Sequence, residues 1–147
     1  MTRQDPLRNY RFRVEIDNIA RAGFSEISGL DSQIAVVDYR EGTDPPHVRK
    51  LSGLTKYSNV TLKYGLATGG DALALFNWFR DVSQGQLASN RRRVVIIVQD
   101  ESGQDRARFI VNDAWPSRYA TSALNAQAHE VMIELLELAN EGIERVA

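Results

Sequence analysis

Apolar and charged residues alternate near the start of the chain, over residues 10–17. The apolar positions are Tyr10, Phe12, Val14 and Ile16, and the positions between them are charged. A period of two is typical of a β-strand that buries one face and exposes the other. Residues 23–28 indicate a second short strand after only a few residues. The chain is therefore expected to open with a hairpin-like unit.

Two further strands are predicted on either side of a long connection. Residues 33–40 are rich in β-branched and aromatic side chains, and residues 56–64 return to alternation. Between them, residues 41–53 contain the consecutive prolines Pro45 and Pro46, which disfavour both a regular strand ladder and a helix interior. Ordered loops of this length usually have a function. We expect an extended, functional loop here.

The segment before the C-terminal region indicates a β-hairpin. Residues 94–99 form an apolar run, residues 100–105 carry a turn signal, and residues 106–112 alternate. Residues 114–123, in which a tryptophan precedes Pro116, are expected to form a loop.

Residues 71–82 have the periodicity of a helix rather than of a strand. Asp71 follows a pair of glycines and is well placed to cap the N-terminus of this helix. The apolar stripe at helical spacing consists of Ala72, Leu75, Phe76, Phe79 and Val82. We expect Leu75, Phe76, Phe79 and Val82 to form the core side of the one main helix, with Trp78 at the edge of the stripe.

The composition indicates a globular protein with one domain, residues 1–147. The hydrophobic share is 43% and the charged share is 25%, and no apolar run approaches the roughly 18 residues of a membrane span. The N-terminal residues lack the apolar core of a secretory signal, and cysteine is absent. Both observations predict assembly in the cytoplasm. The net charge of -1 offers no overall attraction to nucleic acid.

Catalytic and metal-binding patterns are incomplete in this sequence. The two histidines, His47 and His129, are far apart, and a zincin-like pattern that begins at His129 has Ile133 in place of its second histidine. The glycine-rich residues 65–70 lack the lysine of a phosphate-binding loop. The arginines at positions 91–93 are interpreted as a solvated strand entrance or a set of intersubunit ion pairs, with a phosphate contact as the alternative. We therefore predict no enzymatic activity and no cofactor.

Three segments together resemble the tail tube proteins, which build the inner tube of contractile phage tails and related bacterial injection systems. They are residues 5–30, residues 49–65 and residues 129–146. The resemblance implies a mainly β protein, a small antiparallel β-sandwich or barrel-like domain with one main α-helix. It also implies homohexameric rings, in which strands join neighbours into one continuous barrel, and stacking of these rings into a tube.

The resemblance also decides an ambiguity near the C-terminus. Glutamates recur every three or four residues from Glu130 to Glu144, which is helical spacing. Residues 131–135 also alternate, and the tail tube proteins have a strand in the matching segment. We follow the resemblance and predict a strand over residues 127–138.

The resemblance further implies partners and a contact loop. The partners are a sheath protein around the tube, baseplate and terminal cap proteins, and effector cargo or DNA in the lumen, all in a phage tail or phage-tail-like particle. The loop that contacts the adjacent ring is implied to contain Glu41, Thr43, Asp44, Pro45, Pro46, His47, Arg49 and Lys50. A competing interpretation is a monomeric β-barrel that binds a small ligand or an oligonucleotide. The size of the particle in solution separates the two.

Overall fold

The computed structural model describes residues 10–17, 19–22, 24–43, 45–66, 73–122 and 132–147. In chain order the elements are β1 (Arg11–Ile16), β2 (Ile19–Ala22), β3 (Phe24–Ser28), β4 (Ser32–Tyr39), β5 (Arg49–Tyr57), β6 (Val60–Gly65), α1 (Ala74–Ser83), β7 (Arg92–Gln99), β8 (Asp105–Thr121), β9 (Ile133–Ala139) and β10 (Gly142–Arg145). All strand pairs between these elements are antiparallel. The predicted fold class, mainly β with antiparallel sheets and one helix among the described residues, is confirmed.

Two sheets share the long strand β8. Sheet A contains β2, β1, β7, the first part of β8 and β10. Sheet B contains β3, β6, β9 and the last part of β8. The pairing of β8 with β7 extends to Ala114, and its pairing with β9 begins at Trp115. Asp113, with a φ of 50°, lies next to this changeover and is an uncommon left-handed residue other than glycine.

The core lies between the apolar faces of the two sheets. Alternate residues of the paired strands point inward, as the period of two requires. Sheet A contributes Val14, Ile16, Val94, Ile96 and Val111, and sheet B contributes Val60, Leu62, Tyr64, Leu136 and Leu138; all ten are fully buried. Burying side chains of this size removes most of their apolar surface from water, which stabilises the fold by about 1.5–3 kcal/mol for each valine, leucine or isoleucine.

The helix α1 packs against β8 and this core. Leu75 is buried, Phe79 and Val82 are half-buried against the core, and the ring of Phe76 meets Tyr119 edge-on at 5.0 Å between centroids. Leu73 occupies the N-cap position without a side-chain cap. The predicted cap Asp71 and the stripe residue Ala72 lie outside the described residues.

The prediction that Trp78 lies at the edge of the helix stripe is wrong. Trp78 is 1% exposed, and its Nε1 donates a hydrogen bond of 2.7 Å to the backbone oxygen of Asn90. The guanidinium of Arg92 lies 5.2 Å from the centre of the indole ring. Spacings of three and four residues place Leu75, Trp78 and Val82 on one face of the helix with Phe79. Periodicity alone therefore permits either Phe76 or Trp78 to be the more deeply buried residue. The indole is buried because its N–H has a partner.

The opening strands pair differently from the prediction. β1 is confirmed, but its hairpin partner is β2, and β3 pairs with β6 in sheet B. The predicted hairpin of residues 94–112 is confirmed as β7 and β8. The strand predicted over residues 56–64 is interrupted, because β5 ends at Tyr57 and β6 begins at Val60.

The predicted loop over residues 114–123 is wrong for residues 114–121, which continue β8. Pro116 is tolerated because this part of β8 pairs with β9 alone among the described strands, and the register shifts between Pro116 and Arg118. A proline within a sheet is normally confined to such an edge or bulge, since it has no N–H to donate.

The strand predicted near the C-terminus is confirmed from Ile133, while residues 127–131 lie outside the described part of the chain. The glutamates from Glu134 onward, which the structure describes, do not form a helical stripe. Glu134 points into the core and is 6% exposed, whereas Glu137 on the opposite face accepts a hydrogen bond from Asn59. Burial, together with the Glu134 carboxylate, raises the pKa of Tyr119.

The turn between β7 and β8 is organised around the carboxylate of Asp100. It accepts hydrogen bonds from the Ser102 hydroxyl at 2.7 Å, from Nε of Arg106 at 2.7 Å and from the backbone N–H of Gln104 at 3.0 Å. All of these bonds favour the ionised form, so they hold the pKa of Asp100 well below its usual range. The turn is therefore stabilised by a charge that acid removes.

We expect Asp100→Asn to destabilise the protein at neutral pH and to have a smaller effect in acid. The pKa is lower in the folded state, so the ionised carboxylate stabilises the fold above its unfolded-state pKa of about 4, and that contribution falls as the pH drops toward the folded-state value. Urea midpoints of both proteins at pH 7, 5 and 3 measure the difference. Asp81→Asn on α1 is the matched control. A difference that stays constant with pH would contradict this explanation.

Candidate assembly surface

Among the described strands, β4 and β5 pair only with each other, and they form a separate two-stranded sheet, which we call the arm (residues 32–57). Neither strand packs extensively on any other described element. The pairing runs from Ser32 opposite Tyr57 to Tyr39 opposite Arg49, and residues 40–48 connect the strands at the tip. A register shift between Ile34 and Val36 marks a bulge.

The predicted loop over residues 41–53 is wrong for residues 49–53, which belong to β5. Arg49 and Lys50, predicted as loop residues, pair with Tyr39 and Asp38. Gly53 lies at the bulge, where a Cβ atom would approach Val37 Cγ2 to 3.1 Å and the Ala35 backbone oxygen to 3.2 Å. A glycine in a strand often marks a bulge or a close approach of backbone.

Large apolar side chains are exposed along the whole arm. Every residue of β4 is exposed. The exposed large apolar residues are Ile34, Val36, Val37, Tyr39, Val48, Leu51 and Leu54, of which Leu54 is the most exposed at 86%. A two-stranded hairpin is at best marginally stable in water, and an exposed patch of this kind usually marks an interaction site. The arm therefore has the properties of a surface that a partner covers.

The two faces of the arm differ in chemistry. Residues opposite each other in an antiparallel pair share a face. Val37 and Leu51 are opposite each other and share their face with Tyr39 and Arg49, so this face is apolar except for one cation at the tip end. The other face has Val36 opposite Ser52 and, next to them, a pair of opposite charges, Asp38 and Lys50.

The predicted contact residues gather at the tip end of the arm. Glu41, Thr43, Pro45, Pro46 and His47 lie in the connection, and Asp44 lies outside the described residues. The backbone N–H of His47 donates a 2.7 Å bond to the Pro45 oxygen, which closes a tight turn. The hydroxyl of Tyr39 donates to Glu41 at 2.5 Å, and this bond raises the pKa of Tyr39.

The apolar residues of β4 and β5 were not predicted as site residues. A signal was present: residues 34–37 contain isoleucine and two valines, yet apolar residues occupy both faces of the strand instead of alternating cleanly. Such a strand needs cover on both faces.

A cavity of about 310 Å³ opens on the outer face of sheet B, lined by residues that include Lys63, Arg118 and Leu135. No three acidic or histidine side chains of the described part of the chain gather as metal ligands. No described helix is long and apolar enough to cross a membrane.

The family model of the T4-like virus tail tube protein gp19 matches residues 8–144. The chain belongs to this tail tube family. The match spans nearly all of the sequence and confirms the predicted resemblance. No curated protein sequence shows significant similarity to the chain.

Solved structures of contractile injection systems share the fold of this tail tube family member. The tube terminating cap of the anti-feeding prophage has a TM-score of 0.84 at 23% identity, over 99% of this chain and 94% of that chain. The sheath-tube complex of the extracellular contractile injection system PVC in its extended state gives 0.83 at 22%, over 97% and 92%. The six-fold symmetrised baseplate of the anti-feeding prophage gives 0.70 at 19%, over 99% and 97%.

Proposed function

We propose that this protein is a structural subunit of an inner tube, in a contractile phage tail or a contractile injection system, and that it is not an enzyme. The observation that carries the proposal is the arm, whose exposed apolar faces require a neighbouring molecule. Membership of the tail tube family and the fold of tube and cap proteins support it.

The subunits assemble as homohexameric rings that stack coaxially. A head-to-tail interface closes into a ring when its rotation divides the circle, and stacking of the rings then gives an open-ended tube. The similarity to a six-fold symmetrised baseplate supports the number six. The arm is the contact to the adjacent ring: its apolar side chains become buried on a second copy of the chain, and the turn at Pro45 limits the conformational entropy lost on docking.

Ring closure rests on strand edges outside the arm. Among the described strands, β3 ends sheet B on one side, and residues 115–121 of β8 end it on the other. Exposed strand edges invite pairing with another chain, and closure into a barrel removes them. Pairing of these two edges between neighbours continues sheet B around the ring as one barrel.

The assembled tube is a conduit that carries effector cargo or DNA. A sheath protein surrounds it, and baseplate and terminal cap proteins close its ends. The outer face of sheet B carries both signs of charge, with Lys63 and Glu26 3.1 Å apart and Arg118 beside the cavity. A polar wall of mixed charge holds neither nucleic acid nor protein tightly. The subunit acts as one domain and assembles in the cytoplasm before it enters the particle.

Electron microscopy and sedimentation of the purified protein test the proposal. We expect six-membered rings, and tubes at higher protein concentration. A monodisperse species with the 16.5 kDa mass of one chain at all concentrations would contradict the proposal. That result would favour the competing interpretation, a monomeric β-barrel that binds a ligand.

Assembly is expected to need no metal ion. Rings and tubes are proposed to be held together by strand pairing and apolar burial. Neither interaction involves a cation. Treating preformed tubes with EDTA should leave their number and length unchanged in electron micrographs. Addition of magnesium or calcium to a treated sample is the control. Dissolution of the tubes by EDTA, with recovery on adding either ion, would show that a metal site holds them.

A further inference from the structure

The arm joins the body of the protein through two segments that lie side by side in space. One is the segment from Gly29 to Asp31 before β4, and the other is Ser58 with Asn59 after β5. Gly29 has a φ of 86°, and a Cβ atom there would lie 2.0 Å from the backbone oxygen of Asn59. The two segments therefore cross too closely for any residue but glycine at position 29.

A group of hydrogen bonds closes this junction. The hydroxyl of Ser58 donates to the carboxylate of Asp31, and the Ser58 backbone N–H donates to the Asp31 backbone oxygen at 3.3 Å. The backbone oxygen of Ser58 accepts a 2.9 Å bond from Nδ2 of Asn140. Asn140 lies between β9 and β10, so this last bond links the junction to the body. We call Asp31, Ser58 and Asn140 the arm latch.

The corner that carries Asn140 is itself held firmly. Oδ1 of Asn140 accepts a 3.2 Å bond from the backbone N–H of Gly142. The backbone N–H of Glu141 donates to the Asn112 oxygen at 3.1 Å, and its carboxylate pairs with Arg91 at 3.0 Å. The corner is thereby tied to β8 and to the start of β7. Asn140 thus uses its oxygen to hold the corner and its amide N–H to hold the arm.

We propose that Asn140 is a positioning residue that sets the angle of the arm to the body and so places the arm for docking on the adjacent ring. This inference rests on the proposed function of the arm. The arm has no extensive packing on the body, so the bonds at its junction determine its direction. A second bond, from Nδ2 of Asn59 to Glu137 at 3.1 Å, acts on the same junction from β9. An arm held at one angle loses less entropy when it docks than an arm that swings.

The variant Asn140→Asp separates the two bonds of Asn140. Aspartate keeps an oxygen that accepts from the Gly142 N–H, but it has no N–H to give to Ser58, and its charge repels the Ser58 carbonyl oxygen. Asn77→Asp on α1 is the matched control, because it makes the same change of charge away from the arm. Thermal unfolding of the variants shows whether the body remains folded.

Spin labels measure the arm directly. The chain has no cysteine, so cysteines introduced at Thr55 on the arm and Gln84 at the end of α1 are the only labelling sites. We expect double electron–electron resonance to give a narrow distribution of label distances in the parent protein and in Asn77→Asp. The distribution should be broader in Asn140→Asp. Labelled subunits are diluted in unlabelled protein so that only distances within one chain are recorded. Equal widths in all three proteins would overturn the proposal.

Tube formation is the second measurement. Asn140→Asp is expected to form rings at the parent concentration but to need about two- to tenfold more protein to form tubes, the change expected for the loss of one hydrogen bond. An unchanged threshold would overturn the role in docking. If Asn140→Asp does not fold, Asn140→Ser replaces it, because a serine hydroxyl can accept from the Gly142 N–H two residues on but is too short to reach the Ser58 oxygen. Failure of the parent protein to form rings or tubes would contradict the proposed function, while the label distances would still decide whether the latch fixes the arm.

Discussion

Replacing residues 33–56 of the arm by an Asn-Gly turn is expected to abolish tubes and to leave six-membered rings. Ser32 and Tyr57 are opposite each other, so a two-residue turn between them closes a regular hairpin. The body should fold as before, because the arm contributes little to its packing. The adjacent ring, in contrast, loses the apolar surface on which stacking is proposed to depend.

Sedimentation and electron microscopy of this variant give the result, and two milder variants locate the effect. The double variant Val37→Thr, Leu51→Thr places threonine, which favours strands, at both positions. It makes this face of the arm more polar and should also prevent tubes. Arg49→Glu with Lys50→Glu should weaken stacking much less, since exposed ion pairs contribute about 0–1 kcal/mol each. Long tubes from the shortened variant would exclude the arm from stacking. Loss of rings as well as tubes would assign the arm to the contact within a ring.

Trp78→Ala is expected to be the most destabilising single change in α1, by about 3–5 kcal/mol. It removes a fully buried indole, the bond from Nε1 to the Asn90 oxygen and the contact with the Arg92 guanidinium. Trp78→Phe keeps most of the apolar volume but leaves the Asn90 oxygen without its donor, and should cost less, about 1–3 kcal/mol. Phe79→Ala is the control for a half-buried ring and should also cost less than Trp78→Ala.

Denaturant unfolding of the four proteins measures these differences as shifts in midpoint at constant slope. Assembly makes the apparent stability depend on protein concentration, so all four proteins are compared at one concentration in the shortened arm variant, which is expected to stop at rings. A larger effect of Phe79→Ala than of Trp78→Ala would contradict the expectation that Trp78 is the most important core residue of α1. If Phe79→Ala instead leaves stability unchanged and prevents assembly, this side of α1 is a docking surface.

The strands of the body were predictable wherever one face is buried and the other is solvated. β1 and the β7–β8 hairpin alternate or form apolar runs beside clear turn residues, and both are confirmed. The second half of β8 was missed because Pro116 and several polar residues follow Ala114. The strand continues there because its pairing with β9 tolerates a bulge. That pairing is a long-range contact that local sequence does not reveal.

The position of the candidate site in the chain was predictable, but its strand structure was not. Prolines and charges predicted the tip residues as contacts. The apolar residues of β4 and β5 were not predicted, because they follow no single-face pattern. A surface that is buried only on assembly is patterned for its partner and not for the core of its own chain. The latch was likewise hidden, since Asn140 and Ser58 are brought together by the pairing of β6 with β9.

β8 also has a mechanical consequence for the proposed tube. In a sandwich whose sheets meet only through side chains, a force on one sheet reaches the other through van der Waals contacts that slide at low cost. Here the same backbone continues past Asp113 from sheet A into sheet B, with hydrogen-bonded neighbours along both parts. Sliding of the sheets would strain covalent bonds and break several ladder bonds at once. Each subunit is therefore expected to resist shear as a stiff unit, so that in the proposed tube a thrust applied at one end would be transmitted along the axis with little loss to internal deformation.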